Sequence, residues 1–257
     1  MLSCKNDNVA IEEEFKTTEK VYELVWEDNF ENSGKPDATK WIYETGFIRN
    51  EELQYFTDSL KNVRQEDGNL IIEAYKEKIS NNDFVAVTIS TEGLVSWKYG
   101  KIEVRAKLPR GLGQWPAIWM LGDNLRSVSW PKCGEIDIME HVGYTRDSIY
   151  GTVHTEAYNH NKGTHIGKAV FIEDPYDAFH IYAIEWTEEK IDFLLDDQIY
   201  HSFSNENKTI DEWPFDQAFH IKLNASVGGT WGGIEGVDDT VFPQQMRIDY
   251  IHVYQKK

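Results

Sequence analysis

Charged and apolar residues alternate one for one from Lys101 to Leu108, the period of a strand with one face in a core and the other in water. Shorter runs of the same character, rich in β-branched and aromatic residues, recur at Leu70–Tyr75, Tyr150–His154, His180–Trp186, Ile191–Phe203, His220–Val227 and Arg247–Tyr254. Asp196-Asp197 breaks the longest of them with a turn. No long segment carries the 3.6-residue period of an amphipathic helix, and neither an internal repeat nor a Pro-rich linker marks a second domain. The pattern predicts an antiparallel β-sandwich, and 257 residues suffice to bury its core in one domain. That domain covers residues 21–257, with Glu27-Asp28-Asn29-Phe30 opening its first strand region and Phe30 in the core. Residues 1–20 are polar, acidic and aperiodic, and read as a flexible tether.

The segment GEIDIMEHVG, Gly134 to Gly143, departs from simple alternation. It sets Glu135, Asp137 and Glu140 within six residues, spaced by Ile and Met. A regular strand would put Glu135 and Asp137 on one face and turn Glu140 to the other with Ile136 and Ile138, where an unpaired carboxylate is costly or stays protonated. A β-bulge near Ile138-Met139 would swing Glu140 onto the acidic face. Two Glu residues four pleat positions apart then have Cα atoms roughly 13 Å apart, at about 3.3 Å per residue, and long side chains can lean inward across much of that gap. Retaining glycoside cleavage uses two carboxyl groups about 5–5.5 Å apart, one a nucleophile and the other a proton donor. Asp137 between them supplies a charge that raises the pKa of a neighbouring Glu. A solvated acidic strand face is the competing reading.

Other residues carry candidate chemistry of their own. Trp115 and Trp119, four apart, share a strand face, as the floor of a sugar-binding cleft or as core. Trp130 precedes the acidic strand and is a further candidate substrate contact. His154 and Asn224 are strand-borne polar residues that read either as cleft contacts or as satisfied buried groups. Cys133 reads as packing, with no basic partner to lower its pKa. His154, His160 and His165 lack the spacing of a zinc site. Asp249 alternates onto the side of Ile251 and Val253, where a carboxylate needs a partner.

Composition narrows the partners. A net charge of −18 opposes binding to a nucleic-acid backbone or an anionic membrane. Nine Trp and thirteen Tyr are more than such a core usually calls for, and flat aromatic faces bind sugar rings. No apolar run approaches the roughly 18 residues of a membrane-spanning helix. Two cysteines, Cys4 and Cys133, make no disulfide framework. The opening MLSCKNDN reads either as the trimmed end of a bacterial lipoprotein signal, with a lipid anchor at Cys4, or as an unstructured remnant.

WPKCGEIDIMEHVG closely resembles the active-site strand of glycoside hydrolase family 16, in its laminarinase-like branch. Ser96–Gly100, SWKYG, is also similar to the family. Arg49–Phe56 resembles its segment N-N-E-L-Q-Y-Y, with Asn50 at the first Asn and Glu51 departing at the second. Phe219–Gly233 resembles LNLAVGG-x-W. The likeness covers most of residues 22–254 and implies a concanavalin A-like β-jelly-roll of two curved antiparallel sheets with a concave substrate cleft. It implies Glu135 as nucleophile, Asp137 as electrostatic helper and Glu140 as acid/base, with Arg49, Asn50 and Trp231 as sugar contacts. It further implies a structural calcium at backbone oxygens near Asn29 and Gly68 and the Asp249 carboxylate, the rival being a salt bridge from Arg247 or another base. No catalytic cofactor is expected. The expected activity is retaining endo-hydrolysis of β-1,3-glucan or mixed-linked β-1,3-1,4-glucan by a monomer located extracellularly, in the periplasm or on the cell surface. A non-catalytic glucan-binding lectin, a transglycosylase and a galactan hydrolase are the other readings.

Overall fold

The alternation at Lys101–Leu108 becomes the strand Gly100–Lys107 in the computed structural model, which describes residues 22–257, and its Ile102, Val104 and Ala106 are fully buried. The expected turn at Asp196-Asp197 joins Lys190–Leu195 to Gln198–Ser204, both Asp residues taking positive φ, 48° and 63°. Two left-handed residues match the twist of a tight hairpin. The tether and Cys4 lie outside the described residues.

The strands form two sheets. The seven-stranded sheet runs, edge to edge, Ile166–Phe171, Ser148–His154, Glu135–Glu140, Gln114–Gly122, Phe219–Val227, Thr88–Ser90 and Ile42–Glu44, all neighbours antiparallel. The ten-stranded sheet centres on Gly100–Lys107, Gln244–Lys256 and Asn69–Ile79. Ile118, Met120, Ile136, Ile138, Ile221 and Leu223 from the first sheet meet Ile102, Val104, Tyr182, Ile184, Ile248 and Ile251 from the second in one apolar core. Only short helical turns interrupt the strands, as at Leu125–Val128 and Gly229–Gly232. This is the expected all-β jelly-roll.

Three details differ from expectation. Gln54–Phe56 pairs parallel to Asn82–Ala86, which the long intervening crossover permits. Glu27 and Asp28 close the first strand, Tyr22–Asp28, rather than opening it, and Phe30 follows into the core with φ 51°. Asp249 does not share the face of Ile251 and Val253. The pairing of Gln244–Lys256 with Gly100–Lys107 slips between Ile248 and Tyr250, so the alternation resets, and Asp249 points outward to an ion pair with Arg105 instead of Arg247.

Candidate active site

The acidic strand is bulged where its sequence conflict demands it. Asp137 pairs with Trp119 and Met139 with Ile118, leaving Ile138 as the extra residue, and the partner on the other side also slips between Asp137 and Glu140. Ile136, Ile138 and Met139 all enter the core, while Glu135, Asp137 and Glu140 line a cleft on the opposite face. One inserted residue thus buries three apolar side chains without burying a carboxylate among them.

The cleft has a volume of about 1090 Å³. Arg49, Asn50, Trp115, Trp119, Trp130, His154, Asn224 and Trp231 all contribute to its lining, as the sequence predicts, but several do so in unexpected ways. Trp115 is only 9% exposed: its ring is wall rather than open floor, and its indole N–H donates to Glu140 Oε1 at 2.9 Å. Trp130 donates likewise to Glu135 Oε2 at 2.9 Å and stacks on His160. Each outer carboxylate is therefore held by one indole. Trp119 lies beneath two cations, Arg49 at 5.2 Å and Lys222 at 5.0 Å from its ring. Trp231, half-buried, meets Trp115 and Tyr150 edge-on, and is more open than the buried Trp115 and Trp119. The glycines beside it serve packing: a Cβ on Gly232 would meet Trp115 Cβ at 2.8 Å.

Burial dominates the electrostatics. Glu135 is pushed up to about 8, by burial first and then by the charge of Asp137, with His154 and the Trp130 N–H pulling the other way. Glu140 rises to about 7 through burial, opposed by the Trp115 N–H and His154 and reinforced by Glu135 and Glu52. Burial and then Glu140 hold Asp137 well above the ordinary carboxyl range. Three carboxyls in one buried cluster cannot all be ionised at neutral pH, so the site retains protons that the group shares, and Glu135 and Glu140 titrate as a coupled set in which either can hold the proton. Cys133 is buried as packing, its thiol pushed up to about 12 by burial and then by Glu135.

The cleft also holds residues that the sequence reading passed over. Glu52, buried at the cleft wall, accepts from Gln54 Nε2 at 2.6 Å, Ser226 Oγ at 2.9 Å and Asn50 Nδ2 at 3.3 Å. Asn224 joins this network, giving Nδ2 to Ser226 and accepting from Trp119 Nε1 at 2.7 Å. Glu44 joins two cations, Arg49 Nη2 at 2.6 Å and Lys222 Nζ at 2.5 Å, and Lys222 is almost fully buried. Lys222, Asn224 and Ser226 alternate along one strand, a polar face legible in Phe219–Val227. Glu52 stands at the Glu of the N-N-E-L-Q-Y-Y resemblance. Glu51, the departure from that motif, is exposed and outside the cleft. The expected calcium residues lie away from the cleft: Asn29 Oδ1 faces His252 Nε2 at 2.8 Å, and Asp249 is engaged by Arg105.

A jelly-roll whose aromatic-walled groove holds proton-sharing carboxyls, each end clamped by an indole, defines the class of a glycoside hydrolase. The chain belongs to the glycosyl hydrolases family 16, whose family model matches residues 50–252. It is 48% identical to a β-glucanase of Rhodothermus marinus over 244 residues, 91% of this chain and 85% of that protein. The structure of the Rhodothermus marinus laminarinase superposes with a TM-score of 0.90 at 46% identity, covering 92% of this chain and 98% of that one. A mutant of a non-specific endo-β-1,3(4)-glucanase with 1,3-β-D-cellobiosyl-glucose at its active site superposes with a TM-score of 0.88 at 43% identity, covering 91% and 95%.

Proposed function

We propose that the chain is a retaining endo-β-1,3(4)-glucanase, cutting β-1,3-glucan, mixed-linked β-1,3-1,4-glucan or both within its groove. The observation that carries the reading is the bulge at Ile138, which brings Glu140 into line with Glu135 and Asp137. Glu135 attacks the anomeric carbon as Glu140 gives its proton to the leaving oxygen, so the glycosidic bond breaks as a glycosyl ester forms. Glu140, now a carboxylate, takes a proton from water, whose oxygen displaces Glu135 and restores the starting configuration. The Trp130 N–H stabilises Glu135 when it is ionised, and Asp137 with His154 governs the proton held beside it. Trp231 offers a face for a sugar ring, with Asn50 bonded to its neighbour Thr230 and Arg49 in the same lining.

The same reading makes it a monomer outside the cytoplasm, extracellular, periplasmic or on the cell surface, where a lipid at Cys4 would anchor it. A stabilising calcium belongs to this reading too. Strand register supports it, because Asp28 pairs with Ile251 and Leu70 with Ile248, which draws Asn29, Gly68 and Asp249 toward one corner of the outer sheet. Oxygen donors suit calcium, and the ion would displace Arg105 from Asp249.

Incubation with laminarin, mixed-linked glucan and agarose, followed by reducing-end counts, product linkage and the anomeric configuration of first-formed product, tests the function. Glu135→Ser is expected to abolish turnover while retaining oligosaccharide binding. Substantial residual turnover would remove Glu135 from the nucleophile's role.

A further inference from the structure

Three histidines without zinc spacing in the sequence gather in space, His154 lying 5.2 Å from His160 and 5.8 Å from His165 between ring centroids. The better ligand geometry is elsewhere around His154. Glu135, Asp137 and His154 each offer a ligand atom, all within 4.8 Å of one another. His154 Nε2 stands 3.4 Å from Asp137 Oδ2 and 3.9 Å from Glu135 Oε1. Ligands bound at about 2.0–2.1 Å around a tetrahedral ion lie roughly 3.3–3.4 Å apart, which the Nε2–Oδ2 separation matches and the Nε2–Oε1 separation exceeds by about half an ångström. All three residues line the cleft.

An independent observation points to an occupant. Asp137 is 2% exposed and its Oδ2, ionised or protonated, has no hydrogen-bond partner. A mixed set of one imidazole and two carboxylates favours Zn²⁺ over calcium or magnesium, which prefer oxygen alone and higher coordination. We propose that Glu135, Asp137 and His154 form a Zn²⁺ site in the cleft, at which the ion reversibly blocks the enzyme. The blocking rests on the reaction proposed for Glu135, whereas the binding does not.

Calorimetric titration of the full chain with ZnCl₂ in chelator-free buffer needs no turnover, so it stands or falls separately from the hydrolase reading. One Zn²⁺ per chain is expected. Asp137→Asn and His154→Gln are each expected to weaken binding by about 100-fold, the upper end of what loss of even an outer-shell partner costs a metal site. His160→Ala and His165→Ala are expected to bind as the wild type does. Glu135→Gln, at a less buried position, covers the case in which a deeper substitution misfolds, and should show the same loss. Undiminished binding by the folded Asp137, His154 or Glu135 variants would overturn the site, as would loss of binding in His160→Ala or His165→Ala. Laminarin turnover should fall with Zn²⁺ and return with chelator; full activity with the ion bound would overturn the block.

Discussion

Trp115→Phe tests the acid/base role of Glu140 without touching its carboxyl. The substitution deletes the 2.9 Å indole hydrogen bond to Glu140 Oε1 and keeps a ring in the wall against Trp231. A hydrogen bond to a charged group contributes about 1.5–3 kcal/mol, and one pKa unit corresponds to about 1.36 kcal/mol, so its loss corresponds to about 1–2 units. The N–H stabilises the carboxylate, so removing it favours the protonated acid and lifts Glu140 further above its present value of about 7. The proposed first step requires Glu140 protonated. The alkaline limb of kcat/KM should therefore move upward by about 1–2 pH units while the acid limb stays in place. Reducing-end release from laminarin, measured across the whole pH profile, reads this directly. A uniform loss of rate with both limbs unmoved would refute the assignment.

The counterpart, Trp130→Phe, removes the N–H from Glu135 and should shift the acid limb upward, since a nucleophile must be ionised. Glu140→Gln should alter stability with a definite sign. The folded pKa of about 7 exceeds the ordinary 4.5, so wild-type stability is lost as pH rises through that window. The variant should melt higher than wild type above pH 7 and alike below pH 4.5, by at most about 3.5 kcal/mol at ~1.4 kcal/mol per unit. Glu44→Gln strands the buried Lys222, an uncompensated charge costing about 3 kcal/mol, which urea unfolding would measure. If calcium binds at Asn29, Gly68 and Asp249, the melting temperature rises with added calcium and falls with chelator; indifference to both would dismiss the ion.

Residue order alone specified the set of alternations and the one place where alternation had to fail. Lys101–Leu108 and His180–Trp186 are local patterns, because a strand's two faces are written at period two, and the structure follows them to within a residue. The bulge at Ile138 was equally legible, since no regular strand could bury Ile136 and Ile138 without Glu140. The same logic failed at Asp249: simple alternation set its carboxylate beside Ile251 and Val253, and a second bulge, fixed by pairing with Gly100–Lys107, turned it outward to Arg105. The partners that the cleft residues keep were set when the strands came together. Trp115 and Trp130 read as substrate contacts, yet their N–H groups are committed to Glu140, 25 positions on, and to Glu135, five positions on. Lys222 meets Glu44 across 178 positions and Ser226 meets Glu52 across 174, separations that no local spacing encodes. The acidic row was legible because its conflict lay within one strand. Its proton-holding environment was decided by folding, because desolvation and charge proximity arise when distant strands close over it.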